Sequence, residues 1–128
     1  MKRRTLLSTA TGLAASMALP SFGQSSVYPN KPIKLIIPYA AGISPDVIGR
    51  LISDKLGQAL GQPVVVDNRA GAGGMIGAEA AAIMPADGYN LFYTVKGVMA
   101  IAPHLYLNAK YKPLKDFKAI TQVLIVPH

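Results

Sequence analysis

The chain has 128 residues, with 13 Lys and Arg against 6 Asp and Glu, no Cys and a formal net charge of +7. This length allows one domain at most. With 51% hydrophobic and 15% charged residues, the composition excludes a disordered protein. The absence of Cys excludes disulfide frameworks, thiolate zinc sites and Cys nucleophiles, and two His leave little for a metal cage or a His-based catalytic set.

The first 23 residues have the order of an export signal. Basic residues 2–4 precede a weakly apolar stretch, 6–19, and small residues lead up to Gly23. This order suits export because the cations stay in the cytoplasm while the apolar part enters the translocon. We expect cleavage after Gly23, which leaves residues 24–128 as a soluble periplasmic part with a net charge of +4. The adjacent arginines also occur in twin-arginine signals, and an amphipathic first helix is the alternative.

After this segment, hydrophobic periodicity predicts an α/β fold in which strands and helices alternate. The predicted elements, in chain order, are a strand at 33–37, a helix at 46–60, a strand at 63–67, a helix at 75–84 and a strand at 89–95. Pro45 and Asp46 suit the first turn of the first helix, and Gly61 suits its end. The alternation predicts a parallel sheet with helical crossovers.

Beyond Gly97 the periodicity is weaker. A short helix is predicted over 99–107, interrupted by Pro103, and a basic loop over 109–118. A fourth strand is predicted over 119–126, where β-branched residues return.

The loops after the strands are the candidate functional site. In open parallel sheets, ligands bind outside the carboxyl ends of the strands, which here places residues 39–46, 68–74 and 94–97 at one edge. Four glycines between Gly71 and Gly77 let the backbone approach a ligand, and the helix that follows directs partial positive charge at it. The sequence therefore predicts an anion as the ligand.

Three alternatives compete with this hypothesis. The glycines could form a dinucleotide fingerprint, but Ile76 stands where its third glycine should be, and the next strand ends in Val95 and Lys96 rather than an acidic residue. They could only allow tight helix–strand packing. The fold could also be an α/β enzyme that uses the loop as an anion hole, although Ser44 and His104 form the only candidate pair.

The lysines of the late loop, at 110, 112, 115 and 118, raise the possibility of a nucleic acid or anionic lipid partner. A charge run of this kind in an exported protein is typical of a solvated loop. We therefore expect no nucleic acid partner.

From Tyr28 onward, the sequence resembles the Bug family, the extracytoplasmic solute receptors of tripartite tricarboxylate transporters. The resemblance begins with YPNKPI at 28–33 and PYAAG at 38–42, and its most specific stretch is GQPVVV at 61–66 followed by NRAGAGG at 68–74. It continues through DGY at 87–89, PHLY at 103–106 and YKPLKDF at 111–117.

The resemblance implies a two-lobed periplasmic binding protein of the type II class, without catalytic activity or cofactor. Such a receptor closes on a small carboxylate and delivers it to membrane permease subunits. The family holds the carboxylate through backbone N–H groups and water, which agrees with the expected anion site. Carried over by position, the ligand-binding residues are Tyr39, Gly42, Ser44, Asp46, Ala70, Gly71, Ala72 and Gly73.

The chain departs from the family pattern at several points. Ile43 stands where a second glycine is usual, and Ala102 replaces a usual Asn. Lys96 replaces a small hydroxyl residue, and its ammonium group would pair with an anionic ligand if it faces the cleft, so we add it to the candidate ligand-binding residues. A solvated surface lysine is the alternative for this position. Family members are more than twice as long, so we expect residues 24–128 to form an incomplete N-terminal lobe.

Overall fold

The computed structural model describes residues 27–125, and the predicted export signal lies outside them. These residues form three strands and four α-helices, with a 3₁₀ turn at Ala72–Gly74 and a π-helical turn at Gly97–Ile101. In chain order the elements are β1 (Ile33–Ile37), α1 (Ser44–Leu60), β2 (Val64–Asn68), α2 (Met75–Ala82), β3 (Asn90–Phe92), α3 (Ala102–Leu105) and α4 (Pro113–Asp116). The predicted α/β class is confirmed.

The three strands form one parallel sheet in the order β2-β1-β3. In the central strand, Ile33, Leu35, Ile36 and Ile37 are all buried. A strand covered on both faces is a continuous apolar run rather than an alternating one, which is why this segment was predictable as a buried strand. The register pairs Ile37 with Asn68, so β1 and β2 end at the same level.

Helix α1 confirms the predicted end signals. It begins at Ser44, two residues before the predicted start, with Pro45 in its first turn, where a missing N–H costs nothing. It ends at Gly61, whose φ of 67° is left-handed and favours glycine. Strand β2 is shifted by one residue from the prediction, and α2 ends two residues early.

The third strand is shorter than the predicted 89–95 range. Only Asn90–Phe92 forms regular strand, although the Lys34 N–H donates to the Tyr89 carbonyl and the Tyr93 N–H donates to the Ile36 carbonyl. Pairing with β1 therefore runs one residue beyond the strand on each side. It stops there because β1 itself ends at Ile37 and offers no further partner.

The segment predicted as one helix over 99–107 forms two pieces. A π-helical turn at Gly97–Ile101 leads directly into α3, where Pro103 lies in the first turn. Pro103 therefore starts a helix rather than interrupting one, since the first turn needs no N–H donor. The predicted basic loop contains the single helical turn of α4.

The predicted fourth strand is wrong for the residues that the structure describes. Residues 119–125 pair with no strand, and Ile120 and Ile125 are exposed. A β-branched run becomes a strand only where an edge offers hydrogen-bonding and packing partners, and this segment has none among residues 27–125.

A second buried cluster lies against β3. Its fully buried members are Ala78, Val98 and Tyr111, and the Tyr111 hydroxyl donates to the Val98 carbonyl. Large apolar side chains are exposed elsewhere, with Leu107 and Leu114 fully open to solvent. Within residues 27–125, the helices are too short or too polar to cross a bilayer.

Gly77 in α2 marks the closest approach of a helix to the sheet. A Cβ built there would lie 2.7 Å from the Pro38 Cα and 2.8 Å from the Arg69 carbonyl oxygen. Backbone atoms at that distance cannot give way, so for Gly77 the packing explanation considered above holds. The contact sets the position of α2 beneath the ends of β1 and β2.

We expect Gly77→Ala to destabilise the fold by about 2 kcal/mol, because an overpacked methyl group must displace backbone. The free energy of unfolding would be measured with urea in the 128-residue chain. Gly97→Ala is the matched control, since a Cβ at Gly97 meets nothing within 4 Å. Equal losses in the two variants would contradict the packing role.

Candidate functional site

The carboxyl ends of the three strands lie at one edge of the sheet because all three run parallel. Two loops start there side by side: loop 1, residues 38–43, follows β1, and loop 2, residues 69–74, follows β2. The Arg69 N–H donates to the Ile37 carbonyl, which continues the β1–β2 ladder into loop 2. The predicted juxtaposition of these loops is confirmed.

Loop 2 is a tight, glycine-dependent turn. Gly71, Gly73 and Gly74 have φ values of 134°, 63° and 97°, and Ala72 is left-handed as well, with φ of 46°. The Gly74 N–H closes the turn on the Gly71 carbonyl. By contrast, the N–H groups of Ala70 and Gly71, which are both exposed residues, have no hydrogen-bond acceptor among the described residues.

The Asp46 side chain ties loop 1 to the start of α1. This residue is only 1% exposed, and its Oδ2 accepts hydrogen bonds from the Gly42 N–H at 2.8 Å and from Arg50 Nε at 2.9 Å. Its Oδ1 accepts one from Asn68 Nδ2 at 2.8 Å. Both oxygens are therefore occupied inside the protein, and the Gly42 N–H is turned toward Asp46. As direct ligand contacts, Asp46 and Gly42 stay predictions.

Asn68 and Arg50 complete this network, and neither is among the residues predicted for the site. Asn68 Nδ2 also donates to the Tyr39 carbonyl at 3.0 Å, while its Oδ1 accepts a hydrogen bond from Arg50 Nη2 at 3.0 Å. The spacing of Asp46 and Arg50 was a usable signal, because residues four apart on a helix face one another. The bonds of Asn68 depend on the β1–β2 register and left no signal in the sequence.

The network lowers the pKa of Asp46 from its ordinary value of 3.8 to about 2. The hydrogen bond from Arg50 is the largest cause, followed by those from the Gly42 N–H and Asn68. The carboxylate is therefore charged throughout the neutral range. Arg50, whose side chain is half exposed, pairs with it at 2.9 Å.

The other predicted residues lie at the same edge in different environments. Tyr39 is half-buried against the Ala78 cluster, and this burial raises the pKa of its hydroxyl. Ser44 is exposed as the first residue of α1, and Lys96 is exposed just before the π-helical turn. Ala70 is exposed in loop 2. The structure thus places all nine predicted residues in the segments that follow the strands.

Thr94 is a further polar residue at the end of β3. Its Oγ1 is buried and has no hydrogen-bond partner in the part of the chain that the structure describes. A buried hydroxyl without a partner is unfavourable. Sequence reasoning placed Thr94 at this edge without assigning it a role.

No group of three or more His, Asp or Glu that could hold a metal ion occurs in residues 27–125. The chemistry available at the edge is hydrogen-bond donation from backbone N–H groups. Arg50 and Arg69 are paired with Asp46 and Asp67, and Lys96 is exposed after β3. Such an arrangement favours an anionic group over a neutral one.

A family model described as the tripartite tricarboxylate transporter family receptor, TctC, matches residues 48–128. The chain belongs to this family. The chain is 39% identical to a UPF0065 protein of Bordetella bronchiseptica, over 97% of its own length and 36% of that protein. It is 38% identical to protein BugT of Bordetella pertussis, over 99% of its length and 39% of that protein. It thus spans less than two fifths of either relative.

Solved structures confirm the expected fold of this chain. The periplasmic binding protein BugD superposes with a TM-score of 0.67 at 38% identity, covering 70% of this chain and 30% of that one. MatC from Rhodopseudomonas palustris, with bound malate, gives 0.67 at 33% identity, covering 70% and 31%. R. palustris Rpa4515, with adipate, gives 0.65 at 34% identity, covering 68% and 29%. The matched fold is part of a periplasmic binding protein.

We expect the stability of the chain to fall as pH drops from about 4 toward 2. The pKa of Asp46 is lower in the folded state, so ionisation of this carboxyl stabilises the fold. The stabilisation is fully present above the ordinary pKa of 3.8 and is lost as pH falls through about 2. Asp46→Asn should lower stability at pH 7 and flatten this acid decline, measured by guanidinium unfolding between pH 2 and 7.

Asp87→Asn is the comparison for this experiment. The pKa of Asp87 is also lowered, first by the Tyr89 N–H, but this side chain lies on the exposed surface at the other end of the sheet. Its replacement should flatten the acid decline less. The opposite ranking of the two variants would show that Asp46 is not the dominant acid-sensitive group.

We expect Thr94→Val to raise the free energy of unfolding of the chain by about 1 kcal/mol, because it removes a buried hydroxyl without a partner and keeps the shape of the side chain. Thermal and urea unfolding would measure the change. A loss of stability would mean that the hydroxyl has a partner in solution.

Proposed function

We propose that this chain binds a small carboxylate at the edge formed by loops 1 and 2, as the solute-binding component of a tripartite tricarboxylate-type transporter. In this proposal, residues 1–23 are an export signal and residues 24–128 belong to the N-terminal lobe of a periplasmic receptor. The bound solute is handed to membrane permease subunits. Family membership supports the transport role.

The observation that carries the proposal concerns the N–H groups of Ala70 and Gly71, which have no hydrogen-bond acceptor among residues 27–125. They lie in a turn held by left-handed glycines beside loop 1. The carboxylate of Asp46 is engaged by Gly42, Arg50 and Asn68. Donors fixed by backbone need no reorganisation to accept a carboxylate oxygen.

The solved neighbours support the same chemistry. Malate and adipate, bound to MatC and Rpa4515, differ in length and substituents but share the carboxylate group. A site made of backbone N–H groups recognises that shared group and places few demands on the rest of the molecule. We therefore propose that the ligand of this chain is a carboxylate. We also propose that none of its residues is catalytic.

Isothermal titration of the 128-residue chain with malate and with adipate at pH 7 tests the proposal. We expect heat of binding with one of these acids, and none with the corresponding neutral diamide, because the amide lacks the charge that N–H donors favour. Equal binding of acid and diamide, or binding of neither, would contradict the proposal.

A matched pair of glycine variants locates the site. Gly73 and Gly61 have φ values of 63° and 67°, and a Cβ at either meets nothing within 4 Å. Replacement of either glycine by alanine should therefore lower the free energy of unfolding by about 1 kcal/mol. Only Gly73→Ala alters loop 2, so it alone should weaken carboxylate binding, by about tenfold. Equal affinities in the two variants would place the ligand elsewhere.

A further inference from the structure

The two loops of the proposed site are joined by side chains as well as by the sheet. Asn68 is the last residue of β2, where loop 2 begins, yet its amide nitrogen donates to the Tyr39 carbonyl in loop 1 at 3.0 Å. The same nitrogen donates to Asp46 Oδ1 at 2.8 Å, and Asp46 in turn holds the Gly42 N–H. One amide therefore contacts the start of loop 1 directly and is linked to its end through Asp46.

Arg50 joins this connection from helix α1. Its Nε donates to Asp46 Oδ2 at 2.9 Å and its Nη2 donates to Asn68 Oδ1 at 3.0 Å. A guanidinium group presents these two donors in a fixed plane, so it fixes the carboxylate and the amide relative to each other. We call Arg50, Asp46 and Asn68 the loop clamp.

The bonds of the loop clamp engage side-chain donors and acceptors that could otherwise interact with a ligand. Two donor positions of Asn68 and both carboxylate oxygens of Asp46 are engaged. The buried negative charge is matched by Arg50, so it does not stand uncompensated beside an anion site. A clamp with these bonds makes the spacing of the loops independent of whether a ligand is present, which is preorganisation.

We propose that Asn68 is a positioning residue that sets carboxylate affinity without touching the carboxylate, by holding loop 1 and loop 2 at a fixed spacing. This inference rests on the proposed function of the two loops. It assigns to Asn68 and Arg50 a part in binding that family membership alone does not give them.

The first test compares Asn68→Ala with Asn90→Ala. Asn90 is the matched control because its Nδ2 also donates to a carbonyl, that of Pro85, and to a carboxylate, that of Asp87, but at the opposite end of the same sheet. Asn68→Ala should weaken binding of malate or adipate by about tenfold or more, while Asn90→Ala leaves affinity within about twofold. Both affinities would be corrected for any change in the folded fraction.

A second measurement needs no ligand. Amide hydrogen exchange of the ligand-free chain should rise in residues 39–43 and 69–74 together in Asn68→Ala, and in neither segment in Asn90→Ala, since loss of the clamp frees both loops. A uniform rise across the whole chain in Asn68→Ala would indicate general destabilisation and would overturn the positioning role.

A third test exchanges the charges of positions 46 and 68, and it distinguishes loss of the clamp from misfolding of a single variant. Asn68→Asp alone places a second carboxylate beside Asp46 and should weaken binding further than Asn68→Ala. Adding Asp46→Asn restores one amide and one carboxylate facing Arg50 but no donor for the Tyr39 carbonyl, so the double variant should bind more tightly than Asn68→Asp and more weakly than the unmodified chain. Failure of this rescue would overturn the proposal.

The outcomes separate this inference from the proposed function. If the unmodified chain binds neither acid, the proposed function fails and the inference fails with it. If the unmodified chain binds but Asn68→Ala binds equally well, only the inference fails. Weakened binding in Asn68→Ala, with local exchange and rescue by the double variant, supports both.

Discussion

The buried carboxylate of Asp46 is the constraint on which the arrangement of this edge depends. A charge with 1% exposure is tolerated only if hydrogen bonds and a counter-charge replace water. Here the replacements come from three different parts of the chain: loop 1, helix α1 and the end of β2. Satisfying one carboxylate therefore requires these three parts to be in register, and that requirement fixes the geometry of both loops.

The glycines around loop 2 serve two different physical needs. Gly74 and Gly77 are buried and would meet Val98 and Pro38 if they carried a side chain, so they allow α2 to pack closely under the sheet. Gly73 has open space around it and a left-handed backbone, so it serves the shape of the turn instead. In the sequence these glycines form one glycine-rich run. The sequence alone therefore does not distinguish glycines that serve packing from glycines that serve ligand binding.

Most of the fold followed from the sequence because its signals are local. The apolar run of β1, the helical spacing of α1 and the end signal at Gly61 each depend on a few neighbouring residues, and each was confirmed. The prediction of a fourth strand was wrong over residues 119–125 because a strand also needs a partner strand, which is a non-local condition. The loop clamp escaped prediction for the same reason, since Asn68 meets Tyr39 and Asp46 only through the pairing of β1 with β2.

The way cations are used at this edge bears on selectivity. Both arginines of residues 27–125 are paired with carboxylates of the chain itself, Arg50 with Asp46 and Arg69 with Asp67. In the proposed function, recognition of an anion in loop 2 therefore depends first on backbone N–H groups, which respond to a carboxylate oxygen and not to the identity of its carrier. A scaffold of this kind separates the two tasks of a receptor. In the proposed function, loop 2 binds the shared carboxylate, the clamp positions the loops, and exposed residues such as Ile43 and Lys96 distinguish carboxylates of different size and charge.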